Sequence, residues 1–150
     1  MSGYFFYCAT TQMDWHYIDY ANLLFHEAGH TIFIFFGQFT SVLMGSGFQI
    51  VLPLSIALYF WITEQRFSAA LCLMWVGQNL INVSVYAGDA ITMQLPLLGG
   101  DSVIHDWNFL LSNLHILSWT PAVSLTLYGI GILSIGLGAI LSLWFASTDE

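Results

Sequence analysis

The residues best suited to do chemistry lie together in the stretch His26-Glu27-Ala28-Gly29-His30. On an α-helix, residues four apart lie about 40° apart around the axis and about 6 Å apart along it. The imidazoles of His26 and His30 can therefore reach one metal ion, and zinc is the usual metal for this HExxH spacing. Glu27 lies beside them, where its carboxylate can take a proton from water activated by the ion. The stretch predicts a zinc site on a helix, with Glu27 as the general base.

A zinc ion with two histidines needs a third ligand, and Asp89 and His105 are the candidates. Asp89 shares one helical face with Gln78 and Asn82, and Tyr86 lies on the shoulder of that face. The side chains of Gln78, Asn82 and Tyr86 are candidates to donate a hydrogen bond to a developing oxyanion. Two alternatives stay open. If only one candidate binds, a water position remains, as in catalytic zinc sites; if both bind, the site is closed and structural. Asp89 can also lie at the membrane edge and face water.

The composition of the chain is typical of an integral membrane protein. Of its 150 residues, 57% are hydrophobic and 7% are charged, whereas about 25% are charged in a soluble domain. One Arg and no Lys leave a net charge of −8, which argues against nucleic acid or an anionic lipid surface as a partner. We expect a single transmembrane domain, residues 1–150. Cys8 and Cys72 are expected to be buried thiols rather than a disulfide.

Four apolar runs are each long enough to cross a bilayer core of about 30 Å as a helix. They cover Trp15–Phe39, Phe48–Thr63, Phe67–Ala90 and Ala122–Ala146. The predicted fold class is therefore all-α and integral to the membrane, with about four transmembrane helices. Arg66, the only fixed positive charge, follows the second span and places that turn, and by parity both termini, in the cytoplasm.

Features between and within the spans give further expectations. Thr40 to Gly47 is predicted to be a turn because it is rich in Ser and Gly. Asp14 is expected to cap the first span and Pro53 to kink the second. The connection between the third and fourth spans, residues 91–121, is predicted to contain a short amphipathic helix capped by Asp106. The apolar side of that helix consists of Trp107, Leu110, Leu111 and Leu114.

The fourth span has no charge and carries a seam of small residues, Gly131, Ser134, Gly138 and Ser142. Small side chains let another helix approach closely. The seam is therefore the candidate surface for a transmembrane substrate or a larger membrane assembly.

An HExxH on an early membrane helix, with an aspartate near the end of a later one, resembles the intramembrane zinc metalloproteases of the site-2 protease class. The resemblance covers about Asp19 to Asp89. It implies that His26 and His30 bind the metal, that Glu27 is the catalytic glutamate, and that Asp89 matches the third ligand by role. Residues 95–100, Leu-Pro-Leu-Leu-Gly-Gly, followed by His-Asp-Trp at 105–107, also resemble a group of small uncharacterised bacterial membrane proteins that carry an HExxH.

The resemblance implies a peptide-bond hydrolase with one zinc ion in a bacterial inner (plasma) membrane. A transmembrane substrate would have to unwind locally, because a spanning helix has every backbone group paired. Two other functions stay open. A closed zinc site would make the chain a non-catalytic accessory or scaffolding subunit of a larger membrane assembly. A membrane histidine can also ligate a haem or chlorophyll-type ring, although Glu27 beside it disfavours that reading.

Overall fold

The computed structural model describes residues 1–11, 16–97 and 103–148. Its helices are α1 (Ser2–Thr10), α2 (Tyr17–Phe33), α3 (Gln38–Ile62), α4 (Arg66–Gly88), α5 (Asp106–Asn113) and α6 (Thr120–Thr148). Short 3-10 turns precede α3, at Ile34–Phe36, and α6, at Leu117–Trp119. No strand occurs among the described residues, so the all-α prediction holds for them. The predicted cap at Asp14 lies outside the described residues.

Three helical segments are long and apolar enough to cross a membrane: Gln38–Ile62, Arg66–Gly88 and Leu117–Ser147. The first of them begins ten residues earlier than the predicted second span, so the predicted turn at Thr40–Gly47 is wrong. The chain turns at Gly37 instead, where φ is 91°, a conformation that a residue without a Cβ adopts at little cost. Pro53 lies inside α3, which continues through it.

The helices pack in the order α2, α3, α4, α6, each against the next. The chain reverses direction between α2 and α3, so Gly29 lies against Met44 and Phe48 near the start of α3. α1 covers one side of the bundle, where Phe5 and Ala9 pack on a small core that includes Met74, Ile81 and Ile135. This packing leaves α2 at one end of the row, with α3 as its principal neighbour.

The glycine and serine seam of α6 faces α4 of the same chain. A Cβ on Gly131 would come within 2.8 Å of the carbonyl oxygen of Gly77, and a Cβ on Gly138 within 2.5 Å of Met74 Cγ. Ser134 Oγ donates to the carbonyl of Leu73 at 2.9 Å. The predicted close helix approach is therefore present, but the seam is buried within the chain. The prediction that it receives a substrate or an assembly is corrected on that ground.

Candidate metal centre

Three potential ligand atoms meet where α2, the first part of α3 and α5 come together. His26 Nε2 lies 3.0 Å from His30 Nε2. Asp106 Oδ2 lies 2.9 Å from the former and 3.1 Å from the latter. Two imidazoles and a carboxylate are a ligand set that zinc takes in proteins. Among the described residues, His26, His30 and Asp106 form the one group of His, Cys, Asp or Glu side chains whose ligand atoms lie close enough together to hold a metal ion.

The two histidines reach this point because α2 buries one polar stripe, which includes His26, Asp19 and Asn22. His30 is oriented from its other ring nitrogen: Nδ1 lies 3.0 Å from the carbonyl oxygen of Ser41. The hydroxyl of Ser41 in turn donates to the carbonyl of His30 at 2.8 Å. A carbonyl partner of this kind fixes the tautomer and orientation of a ligating histidine. It leaves Nε2 of His30 to face the site.

Gly45 of α3 makes room for the two imidazoles. A Cβ on this residue would lie 2.6 Å from His30 Nε2 and 2.9 Å from His26 Nε2. Both distances are shorter than van der Waals contact allows, so a side chain here would displace the rings. The small residues of 40–47, read from the sequence as a turn, thus allow a helix to pass close to the site.

Asp106 is the first residue of α5, and several contacts fix the start of that helix. The N-cap is His105, whose Nδ1 accepts from the backbone N–H of Asn108 at 3.3 Å. The prediction that Asp106 caps the helix is corrected accordingly. The backbone N–H of Asp106 donates to the hydroxyl of Tyr86 at 3.1 Å, and Trp107 Nε1 donates to Ser46 Oγ at 3.1 Å. These bonds join α5 to α3 and α4.

The environment of Asp106 favours the carboxylate that a metal ion needs. Burial alone would raise the pKa of this group, but hydrogen bonds with His26 and His30 outweigh burial and hold the pKa below its ordinary value. The group can therefore serve as an anionic ligand beside the two imidazoles.

Asp89 and His105, the predicted third ligands, lie outside this group and face each other. Asp89 accepts hydrogen bonds from the hydroxyl of Thr92 and from the backbone N–H groups of Gln94 and Leu95, both at 2.9 Å. Its Oδ2 lies 3.4 Å from His105 Nε2. Burial would raise the pKa of Asp89, yet these bonds lower it overall. Asp106, rather than Asp89, is therefore the candidate third ligand, because the turn after α4 occupies the carboxylate of Asp89.

Gln78 and Asn82, predicted as oxyanion donors, bind Asp19 instead. Gln78 Nε2 lies 2.8 Å and Asn82 Nδ2 3.2 Å from Asp19 Oδ1. The backbone N–H and Nδ1 of His16 approach Asp19 Oδ2 at 2.8 and 3.2 Å. The polar faces of α2 and α4 therefore meet, and the amide donors of α4 are occupied by a carboxylate of α2. Tyr86 is the one of the three predicted donors that contacts the metal group, through Asp106.

Glu27 is exposed on α2. Its negative charge acts electrostatically on His30 and on Tyr86. No hydrogen bond of its carboxylate is found within the described part of the chain. Its role as general base stays a prediction.

Asp106 is the residue that sequence reasoning placed correctly at a helix start but without a role in the site. The available signal was a carboxylate next to His105 in a loop long enough to fold back on the spans. Comparison with known protein families, with curated proteins and with solved structures gives no match. The function is therefore inferred from the geometry of the site itself.

Proposed function

We propose that this chain is an integral membrane protein that binds one zinc ion on His26, His30 and Asp106. The observation that supports it best is the mutual approach of the three ligand atoms, at 2.9 to 3.1 Å. In a tetrahedral zinc site with bonds of about 2.0 to 2.2 Å, neighbouring ligand atoms lie about 3.4 Å apart. The three side chains would only have to separate by a few tenths of an ångström to accommodate the ion.

The site resembles that of an intramembrane metalloprotease. Three protein ligands leave one coordination position open, which is the arrangement of catalytic zinc sites. Zinc, when bound, supplies Lewis-acid chemistry for attack of water on a carbonyl. The carboxylate of Glu27, next to His26 and three residues before His30, can accept a proton there. The hydroxyl of Tyr86, which already accepts from the backbone of Asp106, retains its own proton to donate to a developing oxyanion.

The proposal includes α2 as a fourth span and a peptide bond of a transmembrane helix as substrate. The 17 residues of α2 extend about 25 Å, and the apolar turn Ile34–Phe36 extends the segment further. This arrangement places both termini on one side, which Arg66 assigns to the cytoplasm of a bacterial inner membrane. α5 then lies at the opposite side, where it carries Asp106 to the histidines.

A structural zinc site in a subunit of a larger membrane assembly is the second candidate. The observation in its favour is that Glu27 is exposed and that its carboxylate makes no hydrogen bond within the described residues. A haem or chlorophyll-type ring ligated by a histidine has less support. Gly45 lies against the imidazole nitrogens that would have to ligate the ring, and this contact leaves little space for a macrocycle.

Metal analysis of purified variants tests the ligand set. Asp106→Ala is expected to lose zinc, while Asp89→Ala, which removes a carboxylate of similar burial from the His105–Asp89 pair, is expected to retain it. The measurement is zinc per chain after dialysis against a weak chelator. Equal zinc content in the two variants would contradict the assignment of Asp106.

Glu27→Gln separates the enzyme from the structural subunit, because the amide has the same volume but cannot accept the proton. For the enzyme, we expect cleavage of a transmembrane reporter to fall at least about 100-fold with zinc content unchanged. For the structural subunit, assembly and melting temperature should hardly change. Loss of zinc in this variant would show that Glu27 is itself part of the metal site and that the general-base assignment is wrong.

A further inference from the structure

Glu27 is the one described carboxylate without a hydrogen-bond or ion-pair donor within the described part of the chain. The other four all have donors: Asp19, Glu64, Asp89 and Asp106. Glu27 is also exposed, in a chain that buries three of those other carboxylates. A lone exposed acid is ordinary in water but is costly in lipid. The position of Glu27 along the bundle therefore determines whether its exposed carboxylate faces water or lipid.

The histidines on either side of Glu27 lie against Gly45. Gly45 is the eighth residue of α3, a candidate membrane span, and so lies about 10 Å along that span. The exposed face around Glu27 includes Leu24, one turn before it, and Thr31, one turn after it. Leu24 is 66% exposed. With α2 in the bilayer, which the proposed function includes and on which this inference rests, the carboxylate of Glu27 faces the hydrocarbon region unless another helix covers it.

Among the described residues, no Lys or Arg is free to cover this face. Arg66 is the only Lys or Arg of the chain. The guanidinium of Arg66 bonds Glu64 Oε2 at 2.6 Å and lies 4.1 Å from the centre of the Trp61 ring, in the turn beyond the far end of α3. A second copy packed symmetrically on α2 would bring another Glu27 to the same place. Two carboxylates that meet in lipid repel each other, so a copy of this chain is a poor occupant.

We infer that the face of α2 formed by Leu24, Glu27 and Thr31 binds a transmembrane helix of a different protein, one that carries a Lys or Arg at the depth of Glu27. The basic side chain pairs with Glu27, since ionisable groups within membranes pair with one another. A paired Glu27 cannot also act as the general base, so this inference belongs with the structural-subunit candidate rather than with the enzyme. Leu24 and Thr31 pack beside the pair and exclude lipid from it. The small-residue seam of α6 takes no part, because α4 already covers it.

Synthetic transmembrane peptides provide the probe. The first is a Leu/Ala helix of about 21 residues with one central Lys, and the second has Leu at that position. Each is titrated against the labelled full-length protein in nanodiscs of uncharged lipid, with energy transfer as the readout. We expect the Lys peptide to bind at least about tenfold more tightly than the Leu peptide. Glu27→Gln should abolish that difference, whereas Glu64→Gln should preserve it.

A second pair of variants tests the surface without changing a charge. Leu24→Trp should weaken binding of the Lys peptide, and Leu133→Trp, on the exposed face of α6, should not. Equal affinity for the two peptides, or selectivity that persists in Glu27→Gln, overturns the inference. So does energy transfer between two labelled copies that depends on Glu27, which would identify a second copy as the occupant.

Zinc content and the accessibility of a cysteine at position 24 are measured on the same samples. Normal zinc content and a lipid-protected position 24, together with no peptide selectivity, overturn the docking inference alone. Loss of zinc in the wild type argues against the metal site, and a water-accessible position 24 argues against the placement of α2 in the bilayer.

Discussion

At the scale of single residues, the site depends on Gly45 as well as on its three ligands. Ala at this position would place a methyl group 2.6 Å from the ring atoms Cε1 and Nε2 of His30. We expect Gly45→Ala to move the imidazoles, to lower the zinc content, and to destabilise the fold by about 1 to 3 kcal/mol. Zinc analysis and thermal unfolding in the same detergent measure the two effects.

Gly47→Ala is the matched control for that substitution, two residues along the same helix. Its added methyl would meet only the flexible end of Met44, at 3.1 Å from Sδ. Zinc content should be unchanged, and stability should change by less than about 0.5 kcal/mol. If Gly47→Ala lost as much zinc as Gly45→Ala, the close approach of α3 to the histidines would not be the cause.

Asp19 is 3% exposed and is the acceptor that Gln78, Asn82 and His16 share. Asp19→Ala would leave these buried donors without an acceptor, and each unsatisfied group costs about 1 to 3 kcal/mol. We therefore expect a loss of at least about 2 kcal/mol in the free energy of unfolding. Glu64→Ala, which breaks a surface ion pair, should cost less than about 1 kcal/mol. A similar loss in both variants would show that the Asp19 network contributes little to stability.

At the scale of elements, the antiparallel pair of α4 and α6 depends on glycine only on one side of α6. A methyl group on Gly138 would lie 2.5 Å from Met74 Cγ and 2.8 Å from the carbonyl of Ala70. A methyl group on Gly136, half a turn earlier, would have no atom within 4 Å. We expect Gly138→Ala to destabilise the fold by about 1 to 3 kcal/mol. Gly136→Ala should be neutral or slightly stabilising, because Ala favours a helix.

α5 acts as the element that carries Asp106, and His105 positions it. His105→Ala removes the side-chain cap of α5, so we expect zinc affinity to fall about 10- to 100-fold with the ligands unchanged. His105→Asn, which retains a good N-cap acceptor, should recover part of that affinity. Competition with a chromogenic chelator gives the affinities. An unchanged affinity in His105→Ala would show that Asp106 is held by its other contacts alone.

The sequence predicts what is local in the structure and misses what depends on long-range placement. The spacing of His26 and His30 is a property of one helix, and so is the buried polar stripe that contains them. Asp89 is a candidate ligand from the sequence because it is a carboxylate on the same helical face as Gln78. That face ends where the backbone leaves the helix, and Asp89 then folds onto the turn that follows it. Asp89 and Asp106 are 17 positions apart. Periodicity within one helix cannot show which of these two carboxylates the folded chain brings to the histidines.

At the scale of the whole molecule, the proposed ion joins parts of the chain that share few other bonds. His26 and His30 lie on α2 and Asp106 lies on α5, 76 to 80 positions away in sequence. An ion present at about 1,000 times its dissociation constant stabilises a folded state by about 4 kcal/mol. We expect a strong chelator to lower the melting temperature of the wild type and to leave that of Asp106→Ala unchanged. Equal shifts in both proteins would place the responsible ion elsewhere.

The burial of Asp19 against Gln78 and Asn82 has a consequence for how the chain is made. At about 5 to 20 residues per second, the ribosome completes α4 several seconds after it has completed α2. During that interval α2 has no amide partners for its carboxylate and no Asp106 for its histidines. Entry of α2 into lipid on its own would be unfavourable in this period. With α2 as the proposed fourth span, we therefore expect it to remain at the insertion machinery, or in the interface, until α3 and α4 emerge, and to enter the bilayer together with them.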